Sequence, residues 1–125
     1  GSVSHKGARA AALVAATGPA RIGIDLERAA PSRQDIARWI LTAREQAALD
    51  AQTRGLGATL RFSIKEAIYK AVDPFVRRYV AFTEVELDVT DDGIAHVTSE
   101  LPLAIETTWR EVGGFWLTTA RAVRR

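Results

Sequence analysis

An α+β domain, an antiparallel sheet with helices packed on one of its faces, is what the sequence predicts. Residues 21–27 alternate, with Ile22, Ile24 and Leu26 on one side and Gly23, Asp25 and Glu27 on the other, the period of a half-buried strand. Residues 62–72 instead place Ile64, Ile68, Ala71 and Val72 at i, i+4, i+7 and i+8, one apolar stripe along a helix. Downstream, Asp91-Asp92-Gly93 and Val112-Gly113-Gly114 separate alternating apolar runs and mark two hairpins. Strands first, then helices, then hairpins, is the order that leaves the helices on one face of the sheet.

Taken in order, Val3-Ser4-His5 reads as a strand ended by a turn at Lys6-Gly7. Residues 8–16 are alanine-rich but short and run into Thr17-Gly18-Pro19, which favours a second strand, closed by Gly18-Pro19 into a hairpin with residues 21–27. Ser32 with Asp35 reads as a capping box opening a helix to about Leu41, and Thr42 with Glu45 as a second one opening a helix to about Ala51. Gly55 and Gly57 break the pattern before the long helix, which Leu60 extends upstream of Ser63 and which Asp73-Pro74 is expected to stop. Residues 75–82 read as a loop or short turn. Val85, Leu87 and Val89 form a strand partnered by residues 94–98, residues 105–110 pair with 115–122, and the basic tail 121–125 is expected to fray.

With 125 residues, 47% hydrophobic and 26% charged, the chain supports one domain with a modest core. It has no cysteine, which excludes disulfides and thiolate metal sites, and its longest apolar run is too short to span a bilayer. A cytoplasmic location is the default. The net charge of +2 falls short of the dense basic stripe of a nucleic-acid binder and suits an acidic protein or a phosphorylated small molecule as partner. Neither nucleic acid nor membrane is expected.

The chemistry concentrates in two places. Asp25 and Glu27, two apart on a strand, send both carboxylates to one side, and adjacent like charges are unfavourable unless something positive sits between them. Mg²⁺, which prefers oxygen ligands and is often shared between one or two carboxylates and substrate phosphates, answers that need. Glu66 supplies a third carboxylate if its helix crosses the Asp25 side, and Lys65 and Lys70 on that helix offer ammonium groups to phosphate oxygens. Such a set describes a metal–pyrophosphate site for phosphoryl transfer. His5, flanked by Ser4 and Lys6, is a further candidate phosphate contact. The sequence contains no glycine-rich phosphate loop with lysine, no paired-histidine helix and no serine elbow.

These motifs, Ser4-His5-Lys6-Gly7, Gly23-Ile24-Asp25-Leu26-Glu27 and Phe62-Ser63-Ile64-Lys65-Glu66-Ala67 with Lys70-Ala71, resemble in order and spacing the 4′-phosphopantetheinyl transferases, in particular the surfactin-synthetase-activating and enterobactin-type branch. The resemblance implies Mg²⁺-dependent transfer of the phosphopantetheine arm of coenzyme A to a serine of an apo acyl or peptidyl carrier protein, releasing adenosine 3′,5′-bisphosphate. It implies that Asp25, Glu27 and Glu66 bind Mg²⁺, that Lys65 and Lys70 hold phosphate oxygens, and that Ser4 and His5 contact the coenzyme's phosphates, with Glu66 or Lys65 as the base for the carrier serine. Members of this branch are built from two similar halves, and this chain looks like the second half. It is therefore expected to be one half-domain of a longer chain, or to be completed by another chain. Arg77 and Arg78 with Phe75 and Tyr79 are a candidate docking patch for an acidic carrier protein. A non-catalytic carrier-binding module of the same fold, or another Mg²⁺-dependent pyrophosphate enzyme, is the alternative function.

Overall fold

The fold is taken from a computed structural model that describes residues 1–15 and 18–125. Strands β1 (Ser2–Lys6) and β2 (Arg9–Leu13) form an antiparallel hairpin turned at Gly7, whose φ of 58° suits glycine. Strand β3 (Arg21–Arg28) is followed by two short helices, α1 (Ala37–Ile40) and α2 (Ala43–Ala47), and by the 23-residue helix α3 (Arg54–Val76). A 3₁₀ turn (Phe82–Glu84) leads into β4 (Val85–Val89), β5 (Ile94–Ser99), β6 (Leu103–Val112) and β7 (Phe115–Arg124). The main sheet runs β3-β7-β6-β5-β4, antiparallel throughout, with α3 packed on one face of β3, β7 and β6. This is the α+β architecture expected.

Several local expectations are corrected. The residues after Gly7 do form a strand, but it pairs with β1, whereas β3 pairs with β7. Ala16 and Thr17, at the end of that predicted strand and the start of its turn, lie outside the described residues. Ser32 and Asp35 form no capping box: the Ser32 hydroxyl donates to the Gln34 carbonyl, and Asp35 receives Arg54 at 3.2 Å. The Thr42–Glu45 box does form, although α2 ends at Ala47. Gly55 and Gly57 instead lie inside α3, where a Cβ would stand 2.7 Å from Pro31 at the first and 2.8 Å from Leu49 at the second. The helix also runs past Pro74. Phe75 and Val76 pack against the core and hold the extra turn, which ends at Arg77 in the left-handed region. The C-terminal tail does not fray, since β7 continues to Arg124 opposite Leu103.

The face of β3 turned to the helix decides the position of the site. Ile64, Ile68, Ala71 and Val72 are buried in the main core with Leu103, Trp116 and Ala120. Ser63, Ala67 and Ala71, spaced four apart, form a narrower row of small residues that lets α3 settle on β3. A Cβ at Gly23 would lie 2.0 Å from the Ala67 carbonyl oxygen, so only glycine fits under the helix there. Gly23 and Asp25 therefore face α3, and the alternate residues Ile24 and Leu26, though buried, lie outside the main core cluster.

Candidate active site

β3 is an edge strand of the main sheet, and side chains occupy the polar groups on its open side. The Ser2 hydroxyl accepts from the Ile24 amide (3.0 Å), and the Ser4 hydroxyl accepts from the Leu26 amide (3.1 Å). The Lys70 ammonium, arriving from α3, donates to the Ile24 carbonyl (2.8 Å). Thus the Ser-His strand holds Ile24 and Leu26 and the long helix holds Ile24, with Asp25 between the two.

Asp25 is 8% exposed and its two oxygens have separate partners. The Ser63 hydroxyl donates to Oδ2 at 2.8 Å, while Ser4 and Lys70 approach Oδ1 at 3.4 and 3.5 Å. Ser63 also shares a hydrogen bond with Thr118 of β7 at 2.9 Å, fixing the rotamer beneath the carboxylate. Burial pushes the Asp25 carboxyl above the usual carboxylate range, against the opposing pull of Ser63 and Lys70. Glu66, half-buried one turn before Lys70, is also raised, first by burial and then by the negative charge of Asp25, with Glu27 adding to it and Lys70 opposing it. Glu27 has further partners of its own: its Oε1 pairs with Lys6 at 3.2 Å and accepts the Arg28 amide at 3.0 Å.

Among the described residues, no three carboxylates or imidazoles are arranged as a metal-holding group. Asp25, Glu27 and Glu66, expected from the sequence to share one ion, therefore do not stand as a ready-made cage, and Glu27 carries an ion pair with Lys6. The chemistry of Asp25 and Glu66 still fits a hard divalent ion. Two oxygen donors, Asp25 raising the proton affinity of Glu66, with one ammonium beside them, suit Mg²⁺ sharing its remaining positions with phosphates and water.

Lys65 departs most from the sequence expectation. It is completely buried, and its ammonium donates to Glu45 Oε1 (2.8 Å) and to the carbonyls of Ile40 (2.9 Å) and Phe82 (2.8 Å). With all three donors engaged on the far side of α3 from β3, it reaches neither phosphate nor carrier serine. Glu45 is in turn bonded by the amides of Thr42 (2.8 Å) and Leu87 (2.9 Å). Lys65 thus ties α3 to α1, α2, the 3₁₀ turn and β4. His5 is exposed on β1 opposite Ala10.

In the suggested docking patch, Phe75 lies under the guanidiniums of Arg21 and Arg124, Arg78 pairs with Glu84 at 2.9 Å, and Tyr79 is 79% exposed. Ser63, Thr118 and Glu45 were not singled out from the sequence as parts of the site. Ser63 and Thr118 occupy positions that periodicity assigns to core, and Glu45 carried only a capping signal.

A family model described as the 4′-phosphopantetheinyl transferase superfamily matches residues 21–120, from the first residue of β3 to well inside β7. The chain belongs to the 4′-phosphopantetheinyl transferase superfamily. As an enzyme it is accordingly a phosphopantetheinyl transferase. No curated protein matches it.

Solved structures with the same fold include the holo-(acyl-carrier-protein) synthase of Bacillus anthracis in complex with coenzyme A (3′,5′-ADP), at 20% identity and a TM-score of 0.66, covering 84% of this chain and 96% of that one. The corresponding synthase of Neisseria meningitidis has 20% identity and a TM-score of 0.66, covering 83% and 98%. That of Helicobacter pylori in complex with coenzyme A has 17% identity and a TM-score of 0.60, covering 83% and 99%. These neighbours are of the acyl-carrier-protein synthase type, and this phosphopantetheinyl transferase overlays nearly their whole chains. The region outside the family match includes β1 and β2.

The two raised carboxyls make a prediction for stability. A carboxyl whose pKa is higher folded than unfolded stabilises the fold below its unfolded pKa and loses that contribution as pH rises through the folded value. Without divalent ions, thermal unfolding of the parent should therefore fall relative to Glu66→Gln as pH rises from about 4 to neutrality. Adding Mg²⁺ should narrow the gap at neutral pH. Parallel melting curves with pH would count against the strained-carboxylate reading.

Proposed function

We propose that the chain transfers the 4′-phosphopantetheine arm of coenzyme A to a serine of an apo carrier protein in a Mg²⁺-dependent reaction. The observation that carries the reading is the junction of β3 and α3, where Asp25 and Glu66 set two carboxylates near the Lys70 ammonium, which also lines a cleft of about 510 Å³ with Ser2, Val3, Tyr69 and Asp73. Asp25 and Glu66 hold the ion, which when bound neutralises the pyrophosphate oxygens. Lys70 donates to a phosphate oxygen, and Ser4 and His5 of β1 contact the coenzyme's phosphates. Glu27 with Lys6 borders the ion's outer side.

In the reaction the serine oxygen bonds to the phosphorus next to the pantetheine arm. The bond from that phosphorus to the bridging oxygen breaks, and adenosine 3′,5′-bisphosphate departs with the electron pair. Glu66, directly or through a water, accepts the serine proton, a role its raised pKa suits. A sealed Lys65 leaves Glu66 as the base of choice.

An acidic carrier protein is the partner. The cleft of about 430 Å³ beyond Glu27 is rimmed by Lys6, Arg28 and Arg33 with Trp39, which is 67% exposed, so its charge complements such a surface. The β1 strand with Ser4 and His5, upstream of the matched residues, supports placement in the surfactin-synthetase-activating and enterobactin-type branch, and with it completion of the site by a further half or chain. The cytoplasm, where coenzyme A and apo carriers meet, is the proposed location, and no helix among the described residues is long and apolar enough to cross a membrane.

The test incubates the protein with coenzyme A, Mg²⁺ and an apo carrier, and weighs the carrier by mass spectrometry. The carrier should gain one phosphopantetheine, with gain abolished by a chelator. A carrier that binds without gaining mass would point to a docking module, and coenzyme turnover without a carrier to a different pyrophosphate enzyme.

A further inference from the structure

The two oxygens of Asp25 are held unequally. Oδ2 accepts the Ser63 hydroxyl at 2.8 Å, while Oδ1 has only the long approaches of Ser4 at 3.4 Å and Lys70 at 3.5 Å. A hydroxyl carries a single proton, and that of Ser63 goes to the carboxylate. The Thr118 hydroxyl is therefore the donor on its side, placed 2.9 Å from Ser63 Oγ and 3.0 Å from the Ser63 carbonyl. It confines the serine to the one direction that meets Asp25.

Both hydroxyls are wholly buried, Ser63 beside Ile64 on α3 and Thr118 between Trp116 and Ala120 on the helix face of β7. Burying a hydroxyl is unfavourable unless it is bonded, and alanine and valine would fill the same space without that demand. What the pair does that alanine and valine would not is tie one oxygen of Asp25 to the core side. The other oxygen is left with weak partners. Mg²⁺ is small and demands near-octahedral geometry, whereas Ca²⁺ takes more oxygens and readily accepts both from one carboxylate.

On the reading of the site given above, we infer that Ser63 and Thr118 set its ion selectivity: by holding Oδ2 they leave Oδ1 as the sole Asp25 donor, which suits Mg²⁺ and disfavours Ca²⁺. Ser63 is a positioning residue that acts through Asp25, and Thr118 positions Ser63.

The test loads the full chain with Mn²⁺ in the presence of coenzyme A, displaces it with Mg²⁺ or with Ca²⁺, and counts the released Mn²⁺ by electron paramagnetic resonance. Ser63→Ala should weaken Mg²⁺ about tenfold, as expected for loss of a group that orients a metal ligand, and leave Ca²⁺ no weaker. Thr118→Val should shift the preference in the same direction, and Thr118→Ser, which keeps the hydroxyl, should retain that of the parent. If Ser63→Ala does not fold, the two Thr118 variants decide between the outcomes. Equal weakening of both ions, an unchanged preference, or the same shift in Thr118→Ser and Thr118→Val would overturn the inference while leaving the site reading in place. A parent chain that binds no Mn²⁺ with coenzyme A present would refute the site reading and the selectivity with it.

Discussion

Lys65→Met should melt roughly 10–20 °C below the parent. The substitution keeps the length and volume of the side chain but removes the ammonium that Glu45 Oε1 and the carbonyls of Ile40 and Phe82 share. Glu45, 2% exposed, would be left as an unpaired charge in a closed space. Breaking a buried ion pair by deleting one partner typically costs about 3–5 kcal/mol. Neutralising the other partner as well should recover much of that, so Lys65→Met with Glu45→Gln should melt well above the single variant. The two carbonyls still lack a donor, and recovery will not be complete. Had Lys65 been a phosphate ligand, the single variant would keep its melting temperature and lose only affinity, and thermal unfolding distinguishes the two outcomes directly.

Glu66→Gln should lower the transfer rate about 10²–10⁴-fold, the range for loss of a positioned proton acceptor, while the protein stays folded and melts no lower than the parent at neutral pH. The amide is nearly isosteric with the carboxyl and removes a charge that burial and Asp25 both disfavour. Opposite signs for stability and rate are the mark of a residue held against its own preference for the sake of function. A variant that lost rate only in proportion to lost folded protein would contradict the assignment. Rate is read from the mass gain of the carrier under saturating coenzyme A, and folding from the melting curve of the same preparation.

Much of this was legible in the sequence, for reasons that can be stated residue by residue. The stripe of Ile64, Ile68, Ala71 and Val72 predicts a buried helix face because helical period is local, and all four are buried. The two C-terminal hairpins follow from glycines in turns, and Gly93, Gly113 and Gly114 do adopt positive φ. The period of β3 revealed two faces but not which one bears the helix. That choice is made by a contact between Gly23 and Ala67, forty-four residues apart, which no local pattern encodes. Lys65 illustrates the same limit. It shares a helix face with Ile68 and Val72, three and seven residues on, and its burial depends on Glu45, twenty residues upstream, whose sequence signal was only that of a cap. Pro74 by its own chemistry predicts a stop. The packing of Phe75 and Val76 against the core outweighed the lost hydrogen bond.

In the proposed reaction Asp25 and Glu66, brought together where α3 rests on Gly23, share one divalent ion with the coenzyme's phosphates. Mn²⁺ bound in place of Mg²⁺ can be counted by electron paramagnetic resonance in the presence and absence of coenzyme A. The account predicts weak binding alone, clearly tighter binding with coenzyme A, and loss of that coenzyme-dependent binding in both Asp25→Ala and Glu66→Gln. Binding that is the same in the parent and both variants would contradict it.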